Sequence, residues 1–396
     1  MENKTVRLRT GRQGRYQSGH PWIYRSQLLK ADLSIKPGSV VTVQASDGAF
    51  IGKGYFNPRS EIAARILTFQ DEPVDAAFFD ARIRSAFGKR ESLAVKTNAC
   101  RAVFSEADGL PGLIVDMYAD TAVMQIMTLG MDMFRDEILQ GIRAIVKPKY
   151  IYEKSDSPFR KPEGLKIREE WHGQPGPSTV EISEGKARFL VDIANGHKTG
   201  FYLDQRPSRM AMHTVSKGRS VLDLFCYTGA FAVHAALSGA RDVLAVDIKE
   251  DWLELGRRNA DLNGVAGAVT FAKGDSLDFL RNIHRSGRTF DMIIIDPPSF
   301  IKAKHSLATA SKGYKDLNRT AMRCLNHSGV LATFSCSHYM PNDIFSRLLK
   351  EAAAEAGKNI SILKRCHQAE DHPIVRAIPE TEYLKGYFLK VVEREA

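Results

Sequence analysis

The stretch Ser220-Val221-Leu222-Asp223-Leu224-Phe225-Cys226-Tyr227-Thr228-Gly229-Ala230-Phe231 decides the fold. A short apolar run carrying one carboxylate ends in a tight turn marked by Gly229, and a helix-forming run follows. That is the pattern of the first β–α unit of a nucleotide-binding sheet, whose ligand sits outside the carboxyl end of the strand. The turn lacks the spacing Gly-x-Gly-x-x-Gly, so a pyrophosphate clamp is poorly supported and a phosphate-free cofactor fits better. Outward from it, strands are expected at 220–225, 243–247, 269–272, 292–296, 330–334, 360–365 and 387–392. Helices are expected at 230–238, 249–262, 276–285, 314–326 and 342–356. Strand and helix alternating at this spacing predict a doubly wound α/β sheet. Only a loop separates the last two strands, so one of them must run antiparallel to the other.

Three consecutive strands end in an acid. Asp247 suits the ribose hydroxyls of an adenosine ligand, because a carboxylate accepts short, charge-assisted hydrogen bonds. Asp275 suits an adenine amino group, although acids at such positions also cap helices. Asp296 opens Asp296-Pro297-Pro298-Ser299-Phe300, where two prolines remove backbone donors and leave carbonyls and a carboxylate facing a substrate. Together these acids point to S-adenosylmethionine (SAM). The candidate cofactor residues in the first turn are Asp223, Phe225, Cys226, Thr228, Gly229 and Phe231. Asp247, Asp275, Asp296 and Pro297 join them from later strand ends. The polar, Gly-marked stretch 195–206 precedes the first sheet strand and adds Lys198, Thr199, Asp204, Gln205 and Arg206 as a segment that folds over the cofactor.

The fifth strand ends in Thr333-Phe334-Ser335-Cys336-Ser337. A free cysteine is usually a small buried hydrophobe, and Cys226, Cys324 and Cys366 fit that reading. Cys336 differs, because its strand should end beside Asp296. A thiolate there suits methyl transfer to a pyrimidine carbon, since C5 is not nucleophilic until something adds at C6. Cys336 and Asp296 are therefore the candidate catalytic pair. His372 or Asp371, in the loop 368–373, are candidate proton acceptors, with a plain surface loop as the competing reading.

Residues 1–73 read as short strands and turns of a small barrel. They hold 11 basic and 6 acidic side chains, within a chain of net charge +10. Half of the positive excess thus sits in less than a fifth of the length, which favours a phosphate backbone as partner. Arg7, Arg9, Arg12, Arg15, Tyr16 and His20 mix cations with rings, as RNA contact and base stacking require. Trp22 is expected in the barrel core. Residues 74–90 should form a helix, strands should flank Asp108-Gly109-Leu110-Pro111-Gly112, and 155–178 reads as a linker. Five widely spaced cysteines exclude a disulfide framework and a Cys-x-x-Cys zinc site, and no metal is expected. The absence of a long apolar run excludes a membrane span, and an N-terminus without an apolar run argues for a cytoplasmic protein.

Taken together these motifs resemble the RlmI-type ribosomal RNA large-subunit cytosine-5 methyltransferases. The resemblance runs through His20-Pro21-Trp22, Asp108-Gly109-Leu110-Pro111-Gly112-Leu113, Gly196-His197-Lys198-Thr199-Gly200, Phe225-Cys226-Tyr227-Thr228-Gly229, Asp296-Pro297-Pro298 and Phe334-Ser335-Cys336-Ser337. It implies a PUA-like RNA-binding β-barrel over 1–73, a middle α+β domain over 74–178 and a Rossmann-like SAM methyltransferase domain over 179–396. It implies 23S ribosomal RNA or an assembling large subunit as partner, a homodimer, and Cys336 as nucleophile. Many other RNA cytosine-5 methyltransferases have a second cysteine after the proline motif, where this chain has Pro298 and Ser299, so the group that completes the reaction stays open. Two other readings also stay open: SAM-dependent methylation of a base nitrogen, which needs no cysteine, and a non-catalytic RNA-binding assembly factor.

Overall fold

The computed structural model describes residues 4–10, 14–29, 35–299 and 307–394. The chain divides into two compact units. Unit 1 comprises 1–182, 191–203 and 370–381; unit 2 comprises 183–190, 204–369 and 382–396.

Unit 1 holds two five-stranded sheets. The first contains β1 (Thr5–Arg7), β2 (Trp22–Tyr24), β3 (Val40–Gln44), β4 (Phe50–Phe56) and β5 (Ile62–Thr68), in the order β1-β3-β4-β5-β2. Alternating inward residues such as Val41, Val43, Ile23 and Ile66 make its core. Helix α1 (Ala76–Gly88) follows, begun by the Asp75 carboxylate accepting from the Phe78 amide.

The second sheet has the order β10-β9-β8-β7-β6. Its strands are β6 (Ala99–Phe104), β7 (Leu113–Tyr118), β8 (Thr121–Ile126), β9 (Tyr150–Ser155) and β10 (Arg168–Trp171). Helices α2 (Leu129–Asp132) and α3 (Arg135–Gly141) lie between β8 and β9, and α4 (Arg160–Glu163) lies between β9 and β10. The two sheets are closely joined. The Tyr55 hydroxyl of β4 donates to the Pro111 carbonyl at 2.7 Å, and a Cβ on Gly130 would lie 1.9 Å from the Tyr55 ring.

The expected linker over 155–178 is corrected here, because β10 pairs with β9 and two of the segment's charges are buried. Arg160 donates from Nε to the Lys166 carbonyl, and Glu163 accepts from Arg65 at 2.9 Å and from Asn57 at 2.7 Å. Charges paired in this way behave as interior groups, which hydropathy reads as loop.

A hairpin of β11 (Thr179–Glu184) and β12 (Ala187–Asp192) leads onward. In unit 2, α5 (Arg206–Met210) precedes a seven-stranded sheet of order β15-β14-β13-β16-β17-β19-β18. The strands are β13 (Ser220–Leu224), β14 (Asp242–Asp247), β15 (Val269–Lys273), β16 (Phe290–Ile295), β17 (Leu325–Ser335), β18 (Lys358–His367) and β19 (Lys385–Glu393). The intervening helices are α6 (Ala230–Leu237), α7 (Glu250–Leu262), α8 (Ser276–Ser286), α9 (Leu307–Arg323) and α10 (Asn342–Glu355). The first five strands run parallel, and β19 runs antiparallel to both β17 and β18. Strand β17 is longer than expected, because Leu325 pairs with Phe290 ahead of a register shift in the polar run around Ser328, whose φ is +57°. Strand β13 is flanked by β14 on one side and β16 on the other, so the chain changes direction there and opens a crevice above the strand tips.

Candidate active site

The turn after β13 is conformationally forced. Phe225, Tyr227 and Gly229 have φ of +62°, +51° and +75°. Two of these are not glycine, and such strain persists where function over-determines the backbone. A side chain at Gly229 would meet the Phe271 ring at 2.7 Å, so only glycine closes this turn. The Tyr227 and Ile248 amides donate to the two oxygens of Asp247, which leaves further lone pairs on each. Thr228 is buried with an unpartnered hydroxyl, and Phe231 packs against Phe334 at 5.4 Å. Phe225 is half-buried, and its amide is held by the Ser276 hydroxyl.

Carboxylates crowd the crevice. Burial pushes Asp223 well above the usual carboxylate range, and the charges of Asp296 and Asp247 add to the effect. Asp223 Oδ2 has no hydrogen-bond partner. Burial and the charge of Asp204 push Asp296 up to about 7, against a restraining hydrogen bond from the Gln205 amide at 3.0 Å. Although part of the Asp296 side chain stays accessible, its carboxyl is surrounded by protein. Asp204 accepts from the Tyr383 hydroxyl at 2.7 Å, while its Oδ1 and the Gln205 Oε1 are buried without partners. Arg206 is buried at the start of α5. Asp275 is exposed and caps α8, accepting from the Leu277 and Asp278 amides through Oδ1.

These groups fit SAM. Asp223 would answer its ammonium, Asp247 would accept from its ribose hydroxyls through the open lone pairs, and the exposed Ile248 and Asp275 would serve its adenine. No cradle for a pyrophosphate is needed.

The stretch 195–206 divides between the units. Asp204, Gln205 and Arg206 lie in unit 2 with the sheet. Thr199 lies in unit 1, fully buried, and its hydroxyl is engaged by Asp116 and Tyr118. Its expected cofactor role is therefore corrected: the hydroxyl is spent within its own unit. Lys198, also in unit 1, is exposed with a φ of +57°.

Cys336 follows β17. Parallel pairing sets Thr333 opposite Ile295, so the thiol and Asp296 emerge from neighbouring strand tips. Cys336 is half-buried, with Sγ 3.9 Å from the Pro297 carbonyl. A string of hydroxyls runs alongside: Ser299 to Ser337 at 2.6 Å, and Ser335 to Tyr314 at 3.1 Å. Burial raises the thiols of Cys226 and Cys366 and pushes Cys324 up to about 11, which leaves them protonated and inert. Sequence reading missed Tyr383, Tyr314 and Lys385, whose ammonium donates to the Ser337 carbonyl at 2.6 Å. Single polar residues in a loop, a helix and a strand carry no spacing that marks them.

The loop around Asp371 and His372 is corrected on both counts. Asp371 and His372 are buried in unit 1, where Asp371 accepts from the Arg101 amide at 2.9 Å and His372 packs on Phe104. Both residues hold structure.

Of the expected RNA contacts, Arg7 and Arg9 are exposed, with side-chain bonds to Gln44 and the Leu28 carbonyl. Arg15 is exposed and paired with Glu380 at 2.7 Å. Tyr16 packs partly buried against the barrel core. The expectation for His20 is corrected: it is fully buried, bonded to Glu380 at 2.9 Å and to the Trp22 amide. Trp22 is half-buried, and its indole N–H reaches Glu106 at 2.9 Å. Arg12 and Phe300 lie outside the described residues.

Comparison with known proteins agrees with this fold. A PUA-like domain family matches residues 6–69, and an S-adenosylmethionine-dependent methyltransferase family matches 165–385. The "Ribosomal RNA large subunit methyltransferase I" of Alteromonas mediterranea is 39% identical over 98% of this chain and 99% of its own. The protein of that name from Yersinia pestis is 38% identical over 98% of this chain and all of its own. The solved methyltransferase SMU.776, complexed with SAH, has the same fold, with a TM-score of 0.85 at 23% identity, covering 98% of this chain and all of that one.

Proposed function

Because the chain belongs to the family of ribosomal RNA large subunit methyltransferase I, a SAM-dependent enzyme, we propose that it methylates C5 of a cytosine in 23S ribosomal RNA through a covalent adduct with Cys336. The observation that carries this reading is the emergence of Cys336 and Asp296 from neighbouring strand tips, with Cys336 Sγ against the Pro297 carbonyl. A base nitrogen would need the carboxylate and carbonyls but no thiol.

The chain's own groups then divide the work. The Cys336 thiolate adds to C6 of the unpaired cytosine. Asp296, protonated up to about pH 7, gives its proton to N3 as that bond forms. The ring becomes an enamine with its electron density at C5. SAM, held by Asp223, Asp247 and Asp275, supplies the electrophilic methyl group that C5 needs. Once C5 carries the methyl, its proton leaves to a base, the C6–S bond breaks with its electron pair returning to sulfur, N3 gives its proton back to Asp296, and the ring becomes aromatic again. The strand tips position the reacting groups, an effect worth roughly 7–11 kcal/mol where alignment is good. The target nucleotide must be flipped out or already single-stranded.

In this reading residues 1–73 bind RNA, 74–178 position it and 179–396 catalyse, supported by the family matches at 6–69 and 165–385. The protein works in the cytoplasm, and a homodimer is the expected state in solution. Among the described residues no helix is long and apolar enough to cross a membrane.

The test uses large-subunit ribosomal RNA from cells lacking the protein, tritiated methyl donor, and nuclease digestion with mass spectrometry. Label should appear on cytosine C5. Cys336→Ala should lose roughly three orders of magnitude in turnover, the scale of an essential nucleophile, while calorimetry shows unchanged SAM affinity. Label on a ring nitrogen, or full activity in the variant, would overturn the reading.

A further inference from the structure

Lys385 is the first residue of β19 and pairs with Ser335 of β17 across the antiparallel register. It therefore stands beside the residue that immediately precedes Cys336. It is only 8% exposed, which is rare for lysine. Its Nζ donates to the Ser337 carbonyl at 2.6 Å and to the Met340 carbonyl at 2.7 Å. Both carbonyls belong to the loop that starts at Cys336. The ammonium thus ties that loop to β19, and its charge interacts with the Cys336 thiol.

We propose that Lys385 is a positioning residue that holds Cys336 as a thiolate and fixes its loop for attack on the pyrimidine. The inference rests on the reading of Cys336 as nucleophile and names the group that prepares it. A buried ammonium is costly unless a negative charge answers it. Two carbonyl dipoles answer it in part, and a thiolate completes the answer. The proton leaves sulfur for solvent, and the pair that remains is S⁻ beside NH₃⁺. Burial lowers Lys385 to about 8, and the charges of Cys336 and Glu382 oppose that lowering, as mutual stabilisation requires.

Other titratable groups face this pair. Tyr314 comes from α9, Asp296 from the tip of β16, His338 from the loop itself, Glu382 from the approach to β19, and His367 from β18 opposite Lys385. None of these five is a lysine or an arginine. Tyr314 is held neutral by burial, which outweighs the opposing hydrogen bonds with the Ser335 and Ser337 hydroxyls. Gly386, next in β19, lets the Phe334 ring lie flat across the strand, where a Cβ would meet it at 2.2 Å. The register that sets Lys385 opposite Ser335 is thereby locked by packing.

The experiment follows alkylation of Cys336 by iodoacetamide in the full-length protein, read by peptide mass spectrometry from pH 5 to 10. Wild type is compared with Lys385→Met and with Lys385→Gln. The glutamine keeps a donor for the two carbonyls without charge and serves if the methionine variant does not fold. At pH 7 both variants should react at least tenfold more slowly than wild type, with the gap closing toward pH 10. The acid limb of kcat for methyl transfer should move to higher pH by the same amount, and SAM affinity should be unchanged. Superimposable alkylation profiles would overturn the inference. So would a wild-type alkylation midpoint at or above the ordinary thiol value of about 8.5, a result that needs no variant. If Cys336→Ala keeps its turnover, the nucleophile reading falls on that result alone. If that variant is dead and the alkylation profiles coincide, only the role of Lys385 falls.

Discussion

Asp296 is held in a state that its unfolded counterpart does not share. Burial and Asp204 push its carboxyl up to about 7, whereas a solvated aspartate titrates near 4. Below pH 4 both states are protonated and the group contributes nothing. Between 4 and 7 the unfolded chain releases a proton that the fold retains, so stability falls as pH rises, and the loss is complete above 7. Asp296→Asn removes this cost. Its melting temperature relative to wild type, without SAM, should rise between pH 5 and pH 8. The same proton serves N3 of the cytosine, so kcat/KM of the wild type should decline above about pH 7. The variant should lose activity by roughly a hundredfold or more, the upper part of the range for general acid catalysis, and should lose that alkaline limb. Identical pH dependence of melting in the two proteins would refute the assignment. This residue was legible in the sequence because Asp-Pro-Pro follows an apolar run. Its partners were less so: Gln205 lies 91 positions away, and only the fold brings its amide to Asp296. Lys385 gave no signal at all, since a lysine opening a strand ordinarily points to water.

At the scale of elements, β11, α5 and α6 are fastened by one buried carboxylate. Glu184 receives Arg209 at 2.8 and 2.6 Å and His234 at 2.9 Å. Burial alone would raise its pKa, but Arg209 and His234 outweigh that and hold it at about 2. Its contribution is thus present above about pH 4.5 and lost as pH falls through 2. Glu184→Ala would leave the guanidinium of Arg209, itself 2% exposed, buried without that carboxylate. The expected loss is about 3–5 kcal/mol at pH 7, read as a lower urea midpoint with an unchanged slope. A loss under about 1 kcal/mol would mean that water replaces the carboxylate. Such pairs also explain which elements the sequence announced. The parallel strands of unit 2 are apolar runs such as Met292-Ile293-Ile294-Ile295, which burial on both faces produces. Strand β9 ends in Glu153, Lys154 and Ser155, all buried, and no hydropathy pattern marks it. The same holds for α4, with Arg160 and Glu163 inside. Polar interiors are settled by partners distant in sequence, so they read as loop until the fold supplies those partners.

For the whole molecule, the question is what the net charge of +10 does. Positive charge on a small basic domain attracts RNA by releasing condensed counterions, and affinity then falls with salt in proportion to the phosphates neutralised. The fold sorts the five described N-terminal candidates by availability. Arg7 and Arg9 are exposed, Arg15 is partly neutralised by Glu380, and His20 is sealed inside. The double variant Arg7→Ala/Arg9→Ala should therefore lower the slope of log affinity against log salt by about 1–2, at roughly 0.7–0.9 per phosphate contact, while melting and SAM binding stay as in wild type. His20→Ala should do the reverse. It should lower the melting temperature by removing the bond to Glu380 and the acceptor for the Trp22 amide, with no change in slope for the fraction that remains folded. Filter binding of ribosomal RNA fragments between 50 and about 300 mM salt separates the two effects. An unchanged slope in the arginine variant would place the RNA path elsewhere on the molecule, and the basic N-terminal charge would then serve solubility alone.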